Sequence, residues 1–485
     1  MKTDTPPSAA GALPPWGIED LPAPPAFSIR SLVRVIGPGA ILLATSIGGG
    51  EWLVGPASSV KYGTGIMWIA TIAILLQLAI NLEAIRYTLY TGEPIYTGFM
   101  RLKPGPRFWG LFYVFISIAQ LGWPALVLSV AGTLFSMSAG RLPDGAADAH
   151  VMNLVGIGII IFTAALLLFG GTIERMLEWA SWFMLAFIFA FLIVINLLFV
   201  PAAHWWSTLR GYLQVELATG ELDWTLLGAL AATAASGGIG NLTITNWFRD
   251  KGFAMGGTVG AIESAVGGRQ TKLSPLGKVF PITAENVRRW HEWWRYVHVD
   301  QVWLWALFCF LGSYLNVNLA TSVIPAGTDM QGLATGAYQA RYMADRMWQG
   351  LWHLTLLNGF WILYSTHLGN TDLMIRTVTD LLWTGSRRVR ASSGGHASRV
   401  YYALLAGYSV WALAVMFRAA GPFGLFKMMA NIAGLVLAIA GIQIVVVNRR
   451  FLPKELRPPV WREAAVILAA MFYWFFTIRI VMGWL

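Results

Sequence analysis

The chain has 485 residues, of which 56% are hydrophobic and only 12% charged, with a mean hydropathy of +0.59. That composition excludes a soluble globular domain, and its many apolar runs of about 20 residues, each long enough to cross the hydrocarbon core as a helix, describe a polytopic membrane protein. The net charge of +10 is a topology signal and not a nucleic-acid footprint, and a lone cysteine, Cys309, excludes an intrachain disulfide or a thiolate metal cluster.

The first stretch, MKTDTPPSAAGALPPWGIEDLPAPPAF, is rich in Pro and Ala and reads as part of a disordered cytoplasmic tail over 1–30. It shows no cleavable signal peptide. A membrane-spanning core is expected over 31–450, then a loop and final helix over 451–485. The apolar pattern predicts about eleven spans, near 35–60, 64–90, 107–137, 151–171, 177–200, 224–247, 300–324, 351–374, 399–417, 424–447 and 463–484. The 24 Trp fit a chain with many interfaces to anchor. With the N-terminus in the cytoplasm, the inner side holds 26 of the 34 Lys and Arg, as the positive-inside rule requires. The cytoplasmic loop 249–298 carries much of that charge. Within it, TAENVRRWHEWWRYVHVDQ (283–301) is expected to form a helix along the inner interface, with a plain connector as the preferred reading.

Two spans are interrupted by glycine: TSIGGGEW (45–52) in the first and SGGIGN (236–241) in the sixth. Breaks five spans apart are the mark of inverted-repeat transporters, in which unwound backbone lines a midplane site. The repeats would cover about 31–200 and 224–447.

Glu51 is the leading ligand candidate, because a carboxylate at membrane depth is expensive unless it meets a cation, a proton or water. Pairing with a basic residue nearer an interface is the bland alternative. Asn241 closes the second break and offers an amide oxygen to a hard cation, the preferred reading, with a helix-capping Asn as the alternative. Asn431, in MMANIAG of the tenth span, reads either as a ligand or as an interhelical hydrogen bond. Ser365, Thr366, Asn370, Thr371 and Asp372 form an oxygen-rich run in the eighth span: a second ion site, a gate or polar packing. Glu83 and Arg86, three apart on span two, read as a structural pair or an inner gate. No zinc-protease, P-loop or dinucleotide-binding signature is present, so an enzyme is not expected.

GPGAILLATSIGGGEW resembles the first helix of the Nramp (natural resistance-associated macrophage protein) divalent-metal transporters. That family shows G-P-G, eight residues, then D-P-G-N, often followed by W. Here Gly37-Pro38-Gly39 precede Gly48-Gly49-Gly50-Glu51 and Trp52 at the same spacing. RYTLYTG (86–92) is similar to the family's R-L-G-x-x-T-G, Gly238 to Leu242 stand against its M-P-H-N-L, and Asn431 stands where a Gln commonly joins the site. The resemblance implies a LeuT-like, all-α fold with a 5+5 inverted repeat, unwound helices 1 and 6, and one extra helix. It also implies a secondary transporter of a divalent cation. Glu51, Asn241, backbone at Gly48 and Gly238, and Asn431 are the expected ligands. The departures are specific. The family's metal-binding Asp is Gly48, its Met is Gly238, its His is Gly240, and span three has Gln120 and Trp123 where proton-coupled members carry acids. The expectation is a divergent branch moving Mg²⁺ or Mn²⁺ without proton coupling and without a cofactor. The chain is expected to be a monomer in a bacterial inner or plasma membrane, with the lipid bilayer its other partner. The rivals are a sodium-coupled symporter of a small organic solute, using Ser365 and Thr366 to hold Na⁺, and a membrane protein that does not transport.

Overall fold

The computed structural model describes residues 11–144, 147–168, 173–216, 221–262, 273–330, 337–416 and 422–483. Among these, eight helices are long and apolar enough to cross a membrane. They account for the predicted spans 2 (Trp68–Thr91), 4 (Ala149–Leu168), 5 (Ile173–Phe199), 9 (Ala397–Met416), 10 (Pro422–Phe451) and 11 (Val460–Met482), together with spans 3 and 7. Span 3 bends at Gly122–Pro124, where proline has no N–H to give, and runs as Pro106–Leu121 and Ala125–Ala139.

The three remaining predicted spans differ for physical reasons. Span 1 is two helices, 1a (Pro38–Ser46) and 1b (Gly49–Val54 continuing as Gly55–Tyr62), and span 6 is likewise 6a (Trp224–Thr233) and 6b (Ile239–Asp250). Span 8 is a single helix, Leu351–Gly385, whose apolarity is diluted along its whole length, by His353, Asn358 and His367 in the first half and by Asn370 and buried Asp372, Arg376 and Asp380 in the second. Spans 1, 2, 6 and 8 are buried nearly throughout. Spans 3, 4, 5, 9 and 11 carry large apolar side chains outward, among them Phe115, Phe162, Leu197, Val410 and Phe475. The broken helices therefore form the centre, where freed backbone meets protein and not lipid.

Two expectations are corrected. The 283–301 stretch does not lie apart from span 7: Ala284–His298 runs through a wide-turned segment, Val299–Ala306, into Leu307–Val323 as one continuous helix of 40 residues. The tail also departs from disorder. Its first ten residues lie outside the described part, but residues 12–27 pack onto the helix 284–298 and the loop after span 2. Gly17–Ile18 pair in parallel with Lys278–Val279, Leu21 is fully buried, and Trp16 lies under the Arg101 guanidinium at 4.1 Å. The Arg289, Trp293 and Tyr296 side chains donate to the carbonyls of Leu21, Pro22, Pro25 and Ala26. Composition suggested disorder because proline blocks regular structure. Yet proline-rich chain presents free carbonyls, and the arginine and aromatic donors of the 284–298 helix take them.

Candidate functional site

The three glycines of the first break face three different helices. A side chain at Gly48 would overlap Thr366 Oγ1 of span 8, one at Gly49 the Phe426 ring of span 10, and one at Gly50 the main-chain carbonyl of Thr233 at the end of 6a. Close approach from three sides therefore demands glycine at each position. In the second break, Gly237 and Gly238 have φ of +75° and +59°, a region costly for any residue with a side chain.

Opening the helix at 234–238 strands backbone donors and acceptors, and two glutamines take them. Gln77 of span 2 accepts the Gly237 N–H at 3.0 Å and donates to the Ala232 carbonyl at 3.2 Å. Gln120 of span 3 accepts the Ile239 N–H at 3.1 Å and donates to the Gly237 carbonyl at 3.3 Å. Tyr473 of span 11 steadies Gln77 by accepting its amide at 2.9 Å.

Between the breaks lies a cavity of about 30 Å³, lined by Thr45, Ser46, Gly49 and Gly50, by Thr233, Ala235 and Ser236, by Gln120 and Leu121, by Thr366 and Asn370, and by Phe426, Met429, Ala430 and Ala433. Roughly 10–15 Å³ of such space holds one water, so the cavity has room for a small ion or two to three waters. Its polar lining is hydroxyl, amide and backbone, with one thioether, Met429, and no carboxylate.

The expected ligands do not all meet there. Glu51 is 1% exposed and begins 1b with its Oε2 accepting the Gly48 N–H at 3.1 Å. Its carboxylate folds back on the start of 1b and is not part of the cavity wall. Glu51 Oε1 has no hydrogen-bond partner, and no basic residue pairs with Glu51 among the described residues. The Gly48 carbonyl already accepts the Trp52 N–H at 2.8 Å. Gly238 packs against Gln120 and Ala433, and Asn241 lies in the first turn of 6b, where its Nδ2 donates to Asn81 Oδ1 at 2.9 Å. Asn431 sits on the other face of span 10, donating to the Thr225 carbonyl at 3.1 Å against Gly228. It makes the interhelical bond and does not line the cavity.

The span 8 run separates along the helix. Thr366 and Asn370 reach the cavity, and Thr366 Oγ1 stands 3.5 Å from the Ile47 carbonyl at the break. Ser365 and Thr371 bond back to their own helix, at Ile362 and His367. Asp372 is saturated by Arg376, Trp247 and Tyr401, and so belongs to an ionic cluster and not to the cavity wall. That cluster continues through the buried pairs Arg249–Asp380 and Arg376–Asp250 and the partly buried pair Lys251–Glu178, which join 6b to spans 8 and 5. Glu83 and Arg86 do form their ion pair, at 2.6 Å, but it ties span 2 to Leu456 before span 11 and to Arg462 in its first turn, away from the cavity. Thr45, Ser46, Thr233 and Ser236 were missed. Their only sequence signal is small polar residues flanking each glycine run.

Two apolar spans broken at glycine and facing each other across a polar cavity define an all-α membrane protein of LeuT-like architecture. No protein-family model and no curated protein sequence matches the chain. Solved structures do. A variant of the Eremococcus coleocola manganese transporter is similar with a TM-score of 0.64 at 13% identity, over 95% of this chain and 88% of that one. The same transporter in complex with an aromatic bis-isothiourea substituted compound gives 0.65 at 13%, over 98% and 90%. A nucleobase-cation-symport-1 family transporter, closed with bromovinylhydantoin bound, gives 0.54 at 13%, over 93% and 92%. At such identity the likeness is one of fold.

Proposed function

We propose that the chain is a secondary transporter that moves a small hard cation, Mg²⁺ or Mn²⁺, through the cavity between its two breaks, without proton coupling. The observation that carries this reading is the cavity itself: about 30 Å³, walled by oxygen donors from both breaks and from spans 3 and 8. Carboxylate, carbonyl and water oxygens suit magnesium and manganese, and magnesium retains several waters when bound. Glu51 supplies the negative charge from just behind the break, where its unpaired Oε1 makes the neighbourhood favourable to a cation. The absence of an acid or imidazole from the cavity wall supports transport without a proton relay.

A second reading, sodium-coupled symport of a neutral solute, is favoured by the Thr366 hydroxyl beside the Ile47 carbonyl and by the uncharged cavity wall. Proteoliposome flux with a panel of divalent ions, with and without a sodium gradient, separates the two. The first reading expects Mg²⁺ or Mn²⁺ flux independent of sodium, at least about tenfold lower in Glu51→Gln, with folding intact. Sodium-independent flux at wild-type level in Glu51→Gln removes Glu51 from the site. No flux of any divalent ion transfers the case to the second reading.

A further inference from the structure

Helix 1a begins Gly37-Pro38-Gly39, and its first amide is capped from another helix. The Gly37 N–H donates to Asp300 Oδ1 at 3.1 Å. Asp300 is fully buried and is presented by the wide-turned segment of span 7. A carboxylate at a helix N-terminus meets the positive end of the helix dipole and the unsatisfied amides there. The fit is close: a side chain on Gly39 would come within 2.5 Å of the Asp300 carbonyl. Wide turns inside helices recur at functional sites.

Asp300 is the end of a longer chain. Its Oδ2 accepts from Gln301 Nε2 at 2.9 Å, Gln301 Oε1 accepts from Asn81 Nδ2 at 3.0 Å, and Asn81 Oδ1 accepts from Asn241 Nδ2 at 2.9 Å. All four side chains are fully buried. Asn241 stands at the start of 6b, beside the second break, and its Oδ1 has no partner. The far end of 1a, Thr45 and Ser46, lines the cavity. Helix 1a is thus held at its cytoplasmic end by a polar chain that starts at the other break.

We propose that Asp300, Gln301, Asn81 and Asn241 are positioning residues that couple the state of the helix 6 break to the release of helix 1a on the cytoplasmic side. A shift of 6b that draws Asn241 from Asn81 frees Asn81 and Gln301 to turn, and Asp300 then loses the neighbour that orients it toward Gly37. The proposal rests on the transporter reading for its purpose. Its test uses no substrate, so the two can fail separately.

The test is the rate at which N-ethylmaleimide labels a cysteine placed at Ala40 of helix 1a, in purified protein on a Cys309→Ala background. Losing one buried hydrogen bond changes an equilibrium by about fivefold or more. Asp300→Ala, Asn81→Leu and Asn241→Leu are each expected to speed labelling by at least that factor. The double variant Asp300→Ala/Asn241→Leu should label no faster than the faster single, because both break one chain. Asp300→Asn, which keeps an acceptor for Gly37, should label more slowly than Asp300→Ala. If Asn81→Leu does not yield monodisperse protein, Asn81→Asp keeps its size and removes the donor to Gln301. Parental labelling in the Asn81 and Asn241 variants alongside fast labelling in Asp300→Ala would leave Asp300 a local cap and overturn the coupling. Accelerations that multiply, or no acceleration in any variant, would overturn it as well.

Discussion

Gln120 brackets Gly238, donating to the carbonyl of Gly237 at 3.3 Å and accepting the N–H of Ile239 at 3.1 Å. One side chain thereby replaces two helical hydrogen bonds at the point where span 6 unwinds. Leaving such groups buried and unpaired costs roughly 1–3 kcal/mol each. Gln120→Leu should therefore lower the melting temperature in detergent and speed hydrogen exchange across 234–240. Gln120→Glu keeps an acceptor for Ile239 but, when ionised, has no donor for Gly237, so it should fall between. Melting and exchange at wild-type values in Gln120→Leu would remove the glutamine from this role.

The glycines of the first break should differ in how they tolerate alanine. At Gly50 the obstacle is the Thr233 carbonyl, which is backbone; at Gly48 it is the Thr366 hydroxyl, which is side chain. Gly50→Ala should abolish folding or flux. Gly48→Ala should be partly rescued in folded yield by Thr366→Gly, because Thr366→Ala would leave the Thr366 Cβ 2.6 Å from the new one. Gly238→Met, the change that would return the resembling family's thioether, should fail to yield folded protein: φ there is +59°, and the new Cβ would sit 2.7 Å from the Ala433 Cα. Yield, size-exclusion profile and flux of these variants test the ranking, and rescue of Gly50→Ala by trimming a side chain would contradict it.

The N-terminal strap makes a prediction of its own. Arg101 joins it to the loop after span 2, donating to the Pro14 carbonyl at 2.9 Å and to Glu93 at 2.5 Å while stacking on Trp16. A cation–π contact of this kind contributes about 0.5–2 kcal/mol. Trp16→Ala should loosen the strap, seen as faster hydrogen exchange at 278–279 and 289–296, with exchange in spans 4 and 9 unchanged. Unchanged exchange in the first two segments would show that the strap does not stabilise them.

The breaks were legible in the sequence because glycine clusters in apolar runs have few other uses. The direction of a polar side chain was not. Glu51 was expected in the cavity and is absent from its wall: where it faces depends on how 1b is rotated, and an unwound helix has no period from which to read rotation. Asn431 shows the same limit: it shares span 10 with Met429 and Ala433 of the cavity wall but turns its amide to the Thr225 carbonyl. Gln77, Asn81 and Asp300 gave no usable signal. A lone polar residue in a span has one meaning if it bonds its own helix and another if it meets a partner 160 or 263 positions away. The strap was hidden for a related reason, since its anchors Trp16 and Leu21 stand alone in a proline-rich stretch.

The choice of ion is the sharpest remaining test. The residues expected to form the site contain no sulfur, but the cavity wall includes Met429 of span 10. A thioether selects softer metals, while hydroxyl, amide and carbonyl oxygens select hard ones. One sulfur stands among oxygen donors from Thr45, Ser46, Gln120, Ser236, Thr366 and Asn370, so the balance favours Mg²⁺ and Mn²⁺. Discrimination against Ca²⁺ should be weak, because neutral, uncrowded donors do not impose the strict octahedron that separates the two ions. Met429→Leu tests the argument directly. It conserves volume, a swap that usually costs less than about 1.5 kcal/mol in stability, and removes only the soft donor. Mg²⁺ and Mn²⁺ flux should stay within about twofold of wild type, while any Cd²⁺ binding in calorimetry should drop by roughly tenfold, the factor that corresponds to about 1.4 kcal/mol. If wild-type protein binds Cd²⁺ tightly, gives no response to Mg²⁺ or Mn²⁺, and loses its Cd²⁺ binding with Met429, then the thioether and not the oxygen wall sets the preference, and the hard-ion reading fails.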